Sequence, residues 1–563
     1  MRSYPEPFRP RASFPFAVIG TCALLLLTGC AAGPGLAWPL LVAVLLLFFI
    51  NCRPPFDRDR VDEFLLRTLL FSSGSSSGGS TTIPCTGSQD FTQSFDLSMV
   101  DLDATGAGFE VAGALANSKF ARNVAGIGDF NGDGIGDLGI TASYDPATDE
   151  GRVYIIFGRS GSGGDLDAST MTTAEGIYIE GPIASSYVGY DSVNAAGDVN
   201  GDGFDDILIG NTIPGAYTGE VYLIFGTAAT TNISTTGLTT ATGVLFQGTA
   251  GSQYTGESVT DVGDINGDGV DDFAIGAYNG ASGNGEARVV YGKSSGFTTT
   301  PVSVTAITGT EGFTITGNSG GNQMSRAMAG IGDINGDGID DMILGARFRN
   351  GSDGSAYVIY GKSGTRSDIM LSSLSAADGY ELTGPANQWG QGVGGGGDFN
   401  GDGQLDIAVS SQEYNGTAGQ IAVLYGDVGA LTLSGLSSSQ GFTLDGTSSE
   451  HAGTDISLAG DVNGDGLADL LVGAYEADIS ALNSGAAHLV FGRSDMPSSG
   501  TALGGYIGGT GGIRIEGPAL NRNMGDDVDL ADINGDNCAD IILGGEDATG
   551  VGAAFVIFGG QQQ

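Results

Sequence analysis

A nine-residue acidic pattern that occurs seven times constrains the fold of this chain more than any other feature. The first copy, "DFNGDGIGD" from Asp129 to Asp137, has oxygen-bearing side chains at positions 1, 3, 5 and 9. The other copies begin at residues 198, 264, 333, 398, 461 and 532, so the intervals are 69, 66, 69, 65, 63 and 71 residues. A plain hairpin turn needs glycine but not three fixed aspartates. Recurrence at this interval predicts a tandem repeat.

The same positions predict a calcium loop in every repeat, because alternate oxygen side chains in a tight loop converge on a hard cation. Position 12 of the first copy, where helix-flanked calcium loops carry glutamate, is Ile140 in an apolar strand pattern. Asp137 is therefore the predicted closing ligand, and Gly132 and Gly134 supply left-handed backbone angles. The predicted ligands of up to seven calcium ions are Asp129, Asn131, Asp133, Asp137, Asp198, Asn200, Asp202, Asp206, Asp264, Asn266, Asp268, Asp272, Asp333, Asn335, Asp337, Asp341, Asp398, Asn400, Asp402, Asp406, Asp461, Asn463, Asp465, Asp469, Asp532, Asn534, Asp536 and Asp540.

Strand patterns around each loop predict a four-stranded antiparallel unit. A short strand precedes the loop and an apolar strand such as "DDILIG" follows it; a third ends in an aromatic residue and glycine, as in "VYIIFG", and a fourth resembles "IYIEG". Such a sheet cannot bury both faces alone, but seven packed radially can. The sequence predicts an all-β fold, a seven-bladed β-propeller of four-stranded blades.

The two ends of the repeat region predict how the ring closes. A fourth-type strand, "FEVAG" from Phe109, precedes the first loop, and the third-type strand "AFVIFGG" ends the seventh repeat. The N-terminal strand is therefore expected to complete the last blade, which leaves no unpaired seam.

The repeat resembles a known family. The phrase "IGAYNGASGNGEARVVYG" beside "DINGDGVDD" is similar to the FG-GAP repeat of integrin α-subunit propellers, and the resemblance covers about residues 95 to 559. It implies a propeller with a calcium loop between the first two strands of a blade, and loosely implies adhesion. The chain departs from the family in carrying the loop in all seven repeats and in a degraded "GAP" half, such as "TAS" at 141.

The charge excludes some partners and favours a compartment. The chain has 65 acidic and 21 basic residues, a net charge of −44, which disfavours nucleic acid and anionic membrane surfaces as partners. Without metal each loop crowds three carboxylates, so folding and calcium are expected to be linked. Loops of this type favour a calcium-rich compartment outside the cytosol.

The N-terminal region predicts a membrane anchor. Residues 1–30 resemble a bacterial lipoprotein signal that ends "LTGC", with Cys30 as the lipidated residue. Residues 31–52 contain a second apolar run, 53–94 form a Ser/Gly-rich tether, and 95–560 form the propeller. The alternative is a transmembrane hairpin with both termini in the cytoplasm.

No residue set nominates a catalytic site. The chain has two histidines: His488 in a strand slot filled elsewhere by tyrosine, and His451, expected between blades like Phe120 and Trp389. The acid at position 8 of a loop, as in Asp205, is expected to be a solvated strand-edge charge. Cys85 and Cys538 allow a disulfide, but the scattered cysteines favour two idle thiols.

The favoured function is a cell-surface or outer-membrane module, anchored at its N-terminus, that binds a protein or glycan. Its ligand face is expected opposite the calcium loops, where aromatic and arginine side chains collect. Two alternatives stay open: a purely structural surface protein rigidified by calcium, and a polysaccharide-acting enzyme. The residues expected on this face are Tyr144, Tyr217, Tyr278, Phe348, Tyr414, Tyr475, Arg347, Arg349 and Arg522.

Overall fold

The structure is a computed structural model of the whole chain, and its described part lies within the compact unit Ser77–Gln563. The predictions for residues 1–84, including the signal, Cys30 and most of the tether, lie outside the described residues. The structure describes residues 85, 94–97, 100, 102–144, 150–161, 164–182, 187–249, 251, 253–318, 323–447, 449–477, 483–495, 499–505, 511–518, 523–547 and 550–560.

Seven sheets of the same topology form the seven blades of a β-propeller, which confirms the predicted fold. In each blade four neighbouring strands of the sheet pair antiparallel, and the aspartate loop connects the first strand to the second. We number the blades 1 to 7 after their loops. Because all seven blades have the same strand order and directions, their loops lie on one face of the ring, here called the loop face.

The first strands line the centre of the ring, and every described residue of the second strands is buried. The first strands of blades 1 to 7 are Phe120–Gly126, Ser192–Gly197, Thr255–Gly263, Met328–Gly332, Val393–Gly397, Ile456–Gly460 and Val528–Ala531. The second strands are Leu138–Ala142, Asp206–Asn211, Asp272–Ala277, Asp341–Gly345, Asp406–Ser411, Asp469–Ala474 and Asp540–Gly545.

The third and fourth strands complete each antiparallel sheet toward the outside of the ring. The third strands are Arg152–Ile156, Glu220–Ile224, Glu286–Val290, Ser355–Ile359, Gln420–Leu424, Ala486–Val490 and Ala553–Ile557. The fourth strands are Gly176–Glu180, Gly243–Gln247, Gly312–Thr316, Gly379–Thr383, Gly441–Asp445, Gly512–Glu516 and Gly108–Ala112.

The prediction of four strands per sheet was wrong by one, because a two-residue parallel strand is added at each outer edge. In blades 1 to 5 and in blade 7 this edge strand comes from the linker between the third and fourth strands of the following blade. The pairing can be parallel because the chain between the fourth strand of one blade and the linker of the next is longer than the dozen or so residues that a parallel connection needs. The edge strands of blades 1 to 7 are Ile233–Ser234, Val302–Ser303, Ile369–Met370, Leu431–Thr432, Thr501–Ala502, Phe95–Asp96 and Leu166–Asp167.

The N-terminal segment closes the ring, as the sequence predicts. Gly108–Ala112 pairs antiparallel with Ala553–Ile557 in blade 7, and the preceding strand Phe95–Asp96 pairs parallel with Gly512–Glu516 in blade 6. Strands from the start of the repeat region therefore complete the last two blades, and this pairing joins the start of the ring to its end.

The hydrophobic core is divided among the junctions between blades. Each cluster of buried side chains combines two neighbouring blades, as where Val289 and Phe313 of blade 3 pack with Met342 and Leu344 of blade 4. Radial packing of twisted sheets buries both faces of every blade in this way. A central channel of about 690 Å³ remains along the axis, lined by the first strands.

Helices in the described part are single turns in connections. The α-helical turns are Leu102–Thr105, Pro214–Tyr217, Gly280–Gly283 and Tyr414–Thr417, and the 3₁₀ turns are Val304–Ala306, Arg349–Gly351, Leu371–Ser373 and Leu503–Gly505. Within the described ranges no helix has both the length and the apolar character to span a bilayer.

Candidate metal centres

The aspartate at position 1 fixes the shape of each loop. In the first loop the backbone N–H groups of Asp133 and Gly134 donate to Oδ1 and Oδ2 of Asp129, at 2.9 and 2.8 Å. The same two bonds recur in the other six loops. Gly132 and Gly134 have φ of 76° and 92°, as predicted, so the chain can turn back over the carboxylate.

The aspartate at position 9 is completely buried and ties the loop to its own blade. In blade 1 the backbone N–H of Gly158, just past the third strand, donates to Asp137 Oδ1 at 2.8 Å. The equivalent glycine makes this bond in all seven blades, at 2.7 to 2.9 Å. Sequence reasoning missed this link, although a glycine follows an aromatic residue 19 to 23 residues after every position 9.

The position-9 carboxylate lies in an environment that opposes its negative charge. Burial, with a smaller contribution from the neighbouring carboxylates of Asp133 and Asp129, raises the pKa of Asp137 to about 7. Burial likewise raises the pKa of Asp206 and Asp272 to about 8, and it raises that of Asp469 well above the usual value. A cation among these carboxylates would remove the repulsion. The donor set of hard oxygens therefore fits a calcium ion.

The side chains as they stand do not form a coordination shell. In the part of the chain that the structure describes, no three acidic, histidine or cysteine side chains are arranged to hold a metal ion. The oxygens at positions 1 and 9 accept backbone N–H groups, and Asn131 Nδ2 donates to Asp137 Oδ1 at 3.1 Å. The structure thus brings position 3 into contact with position 9 and places the carboxylates of positions 1 and 5 near it, and coordination itself stays a prediction.

The prediction for position 8 was wrong, because its acids are not solvated strand-edge charges. Asp205 Oδ2 accepts the backbone N–H of Asp129, in the preceding blade, at 2.6 Å. Asp271 and Asp340 do the same for Asp198 and Asp264, at 3.0 and 2.9 Å. Burial raises the pKa of all three carboxyls. Each is a half-buried carboxylate that accepts a hydrogen bond from the neighbouring blade; we call this inter-blade bond a clasp.

Two further expectations about single residues were wrong. Cys85 and Cys538 are not idle thiols: they form a disulfide across 453 residues, and both are buried. His451 does not share the buried slot of Phe120 and Trp389; it is one position earlier, half-buried, with Nδ1 3.0 Å from Glu476 Oε2. His488 packs in the strand slot as predicted, and burial lowers its pKa to about 4.

The face opposite the loops collects most of the aromatic residues expected there. Rings pair across blade junctions, with centroid separations of 6.2 Å for Tyr144 with Tyr187 and 5.2 Å for Tyr217 with Tyr254, and Tyr254 also packs on Tyr278 of its own blade at 4.8 Å. Arg347 lies over the ring of Phe348, 4.7 Å from its centroid. Of the other expected residues, Arg349 instead pairs with Glu381 in its own blade, and Arg522 lies outside the described residues.

Comparison with known proteins agrees with this architecture. The FG-GAP repeat model matches residues 192–224, 258–291, 389–424 and 452–490, which are the first three strands of blades 2, 3, 5 and 6 with their loops. The chain is an integrin α-like FG-GAP β-propeller. Blades 1, 4 and 7 of the FG-GAP propeller carry the same loop and the same glycine contact, so the repeat extends around the whole ring.

The FG-GAP propeller is similar to parts of several integrin α subunits. Integrin alpha-4 of Xenopus laevis is 30% identical over 174 residues, 30% of this chain and 15% of the relative. Integrin alpha-PS2 of Drosophila melanogaster and integrin alpha-IIb of Mus musculus are each 32% identical over 30% of this chain, and the matches cover 11% and 16% of those proteins. The matched region is thus a small part of each relative.

Proposed function

We propose that the chain is a calcium-stabilised, cell-surface binding module whose ligand is a protein or glycan. The observation that carries the proposal is the repeated placement of a buried position-9 carboxylate beside the acids at positions 1 and 5. A fold that repeats this repulsion in every blade gains stability from a divalent cation in each loop. The integrin resemblance supports the same interpretation.

In this proposal, Asp, Asn, Asp and Asp at positions 1, 3, 5 and 9 hold the ion in each loop. Bound calcium supplies positive charge that neutralises the crowded carboxylates. The chain's own contribution is the frame: position 1 shapes the loop, and position 9 joins it to the third strand through the glycine N–H. A loop clamped at both points holds the hairpin between the first two strands rigid.

The remaining surface supports different roles for the two faces. The loop face is occupied by cation loops and blade linkers, whereas the opposite face carries paired tyrosines with Arg326 and Arg347. Aromatic and arginine side chains are enriched among the few residues that supply most of the binding energy of an interface. We place the ligand on this opposite face, with the propeller outside the cytoplasm and anchored through its N-terminal segment.

Calcium stoichiometry and melting test the proposal. Near seven ions per full-length chain, with a large fall of the thermal midpoint in chelator, is the expected result. The variant Asp268→Asn, at exposed position 5 of the third loop, should bind one ion fewer and melt slightly earlier. The matched control Asp353→Asn lies outside the loops and should bind the full number. Few ions and an unchanged melt would refute the calcium assignment.

A purely structural role is the second candidate, because rigid loops alone do not require a ligand. An array of proteins and glycans probed with the calcium-loaded chain separates the two, since a structural protein should bind none. We propose no catalytic activity, and hydrolysis of any arrayed polysaccharide would contradict that.

A further inference from the structure

Arg347 carries a guanidinium whose hydrogen-bond partners among the described residues are neutral glutamine side chains. It follows the second strand of blade 4, on the face opposite the loops, and its Nε and Nη2 donate to Gln323 Oε1 at 3.0 and 2.8 Å. Its Nη1 donates to Gln391 Oε1 at 2.7 Å. Among the described residues no carboxylate lies within salt-bridge distance of it, whereas neighbouring Arg326 pairs with Glu257 at 3.2 Å. In a chain with 65 acids, an arginine held only by amides is unusual.

The amides hold the fork in place without neutralising it. A guanidinium has five N–H donors, and three of those of Arg347 are used by the two glutamines. One N–H on each Nη group remains for a further acceptor. Burial and the adjacent Arg326 lower the pKa of Arg347 to about 10, even though the carboxylates of Glu257 and Glu413 favour its charged form, so that form is incompletely stabilised within the protein. An anionic acceptor would compensate this, and a fixed fork favours a planar carboxylate.

The surroundings restrict the kind of anion. The ring centroid of Tyr278 lies 4.8 Å from that of Tyr254 and 5.9 Å from Cζ of Arg326, so the two tyrosines give an aromatic surface in the neighbourhood of Arg347. The net charge of −44 repels polyanions such as sulfated glycans. A single carboxylate within an otherwise weakly charged peptide suits both conditions, because its neighbours can pack on the tyrosines.

We propose that Arg347 binds an aspartate or glutamate side chain of a peptide segment in a partner protein. This inference rests on the proposed binding function and specifies its ligand. Gln323 and Gln391 are positioning residues that orient the fork, and Tyr254 and Tyr278 supply the adjoining contact surface.

The test uses the full-length chain in calcium and a displayed library of random twelve-residue peptides as the probe. Selected peptides should contain a recurrent Asp or Glu, and the twin with Asn or Gln at that position should bind on the order of tenfold more weakly or worse. Arg347→Gln should weaken the acidic peptide to the same level and leave the amide twin unaffected, because the two changes remove one interaction. Arg347→Lys keeps the charge but loses the fork, so we expect a partial loss.

The control Arg493→Gln removes the same charge from the loop face, where Arg493 pairs with Asp495 at 2.6 Å, and should not change binding. Equal thermal midpoints of wild type and Arg347→Gln show that the variant is folded. Selected peptides that bind equally well without their acid, or to Arg347→Gln, overturn this inference while the proposed function stands. So does binding to heparin but not to peptides. Absence of any bound peptide, protein or glycan counts against the proposed function itself.

Discussion

The junctions between blades are of two kinds, and the difference lies in one pair of facing residues. At the junctions of blades 1–2, 2–3 and 3–4, a glycine before the loop faces an aspartate clasp at position 8 of the next loop. At junctions 5–6 and 6–7, the glycine faces the methyl group of Ala468 or Ala539. At junction 7–1 the arrangement differs again: Ala531 replaces the glycine, position 8 is Gly136, and the methyl group of Ala531 lies against Gly126 of the first strand of blade 1.

The backbone explains why the two kinds are not interchangeable. Gly128, Gly197 and Gly263 at the clasped junctions have φ of 70°, 71° and 63°, a conformation that favours glycine. Gly397 and Gly460 at the methyl junctions do not have a positive φ. The clasped junctions therefore require glycine for its conformation and its size, whereas the methyl junctions require it for its size alone. Junction 4–5 is intermediate, since Gly332 has φ of 62° but faces Leu405.

The largest effect is expected for Gly263→Ala. A Cβ there would lie 2.3 Å from Asp340 Oδ2, on a residue with positive φ, so the clasp must open and the backbone is strained. Overpacking and the left-handed conformation together should cost about 3 kcal/mol or more of unfolding free energy. Thermal unfolding in calcium measures it.

A paired variant separates size from conformation. Gly397→Ala alone should also destabilise, because its Cβ would meet Ala468 at 2.3 Å. Adding Ala468→Gly should restore the melting temperature, since it removes the methyl group that the new Cβ would meet. Adding Asp340→Gly to Gly263→Ala should not restore it, because the strain of an alanine at positive φ remains. Equal rescue at both junctions would show that the two kinds do not differ in backbone requirement.

The second effect concerns the disulfide, which lies on the methyl-junction side of the ring. Cys538→Ser should lower stability by about 2 to 4 kcal/mol, because the disulfide restricts the unfolded chain. Cys85→Ser should give the same loss, and the double variant should add nothing further. Melting with and without reductant checks this, and a wild-type midpoint that does not respond to complete reduction would contradict it.

The third effect tests whether a clasp can be transplanted. Leu405→Asp should be tolerated within about 1 kcal/mol, because Gly332 already has the clasp conformation and the N–H of Asp333 is available as donor. Ala468→Asp should cost about 2 to 3 kcal/mol, because a carboxylate is buried where the backbone does not turn toward it. Slower hydrogen exchange at Asp333 in the first variant would reveal the new bond. Similar losses in both variants would argue against the role of φ.

The smallest effect concerns Asp455 of blade 6 and Asp527 of blade 7, two neighbouring acids that line the central channel near the methyl junctions. Burial raises the pKa of Asp455 and of Asp527, and the Asp455 carboxyl adds to the rise at Asp527, so we expect the two carboxyls to share a proton. Because the folded pKa values are raised, this contribution is complete below about pH 4 and is lost as pH rises. Asp527→Asn should therefore raise stability by about 1 kcal/mol at pH 8 and change it little at pH 4.5.

Two measurements control that prediction. The surface variant Asp495→Asn removes the same charge and should not show the pH-dependent gain. Calcium is kept saturating so that the loops do not titrate with the channel acids. A gain of equal size at both pH values would show that the pair does not share a proton.

Repetition made the fold and loop positions predictable from sequence. The loop pattern first seen at Asp129, Asn131, Asp133 and Asp137 occurs in seven copies. The strand patterns around it recur too, so a strand that is ambiguous in one copy is clear in another. Sequence also predicted that Phe109 begins a strand that closes blade 7. The fifth strand escaped notice because two residues carry no periodicity.

The sequence by itself determined the number of blades, the order of their strands and the face on which the acids lie, because these follow from local periodicity repeated along the chain. Only the tertiary structure decided what residues from different repeats do to one another. The clasp of Asp205 on Asp129, the bond between Cys85 and Cys538, and the amide cradle of Arg347 each join segments distant along the chain. Such contacts depend on how blades pack around the axis, which no window of sequence contains.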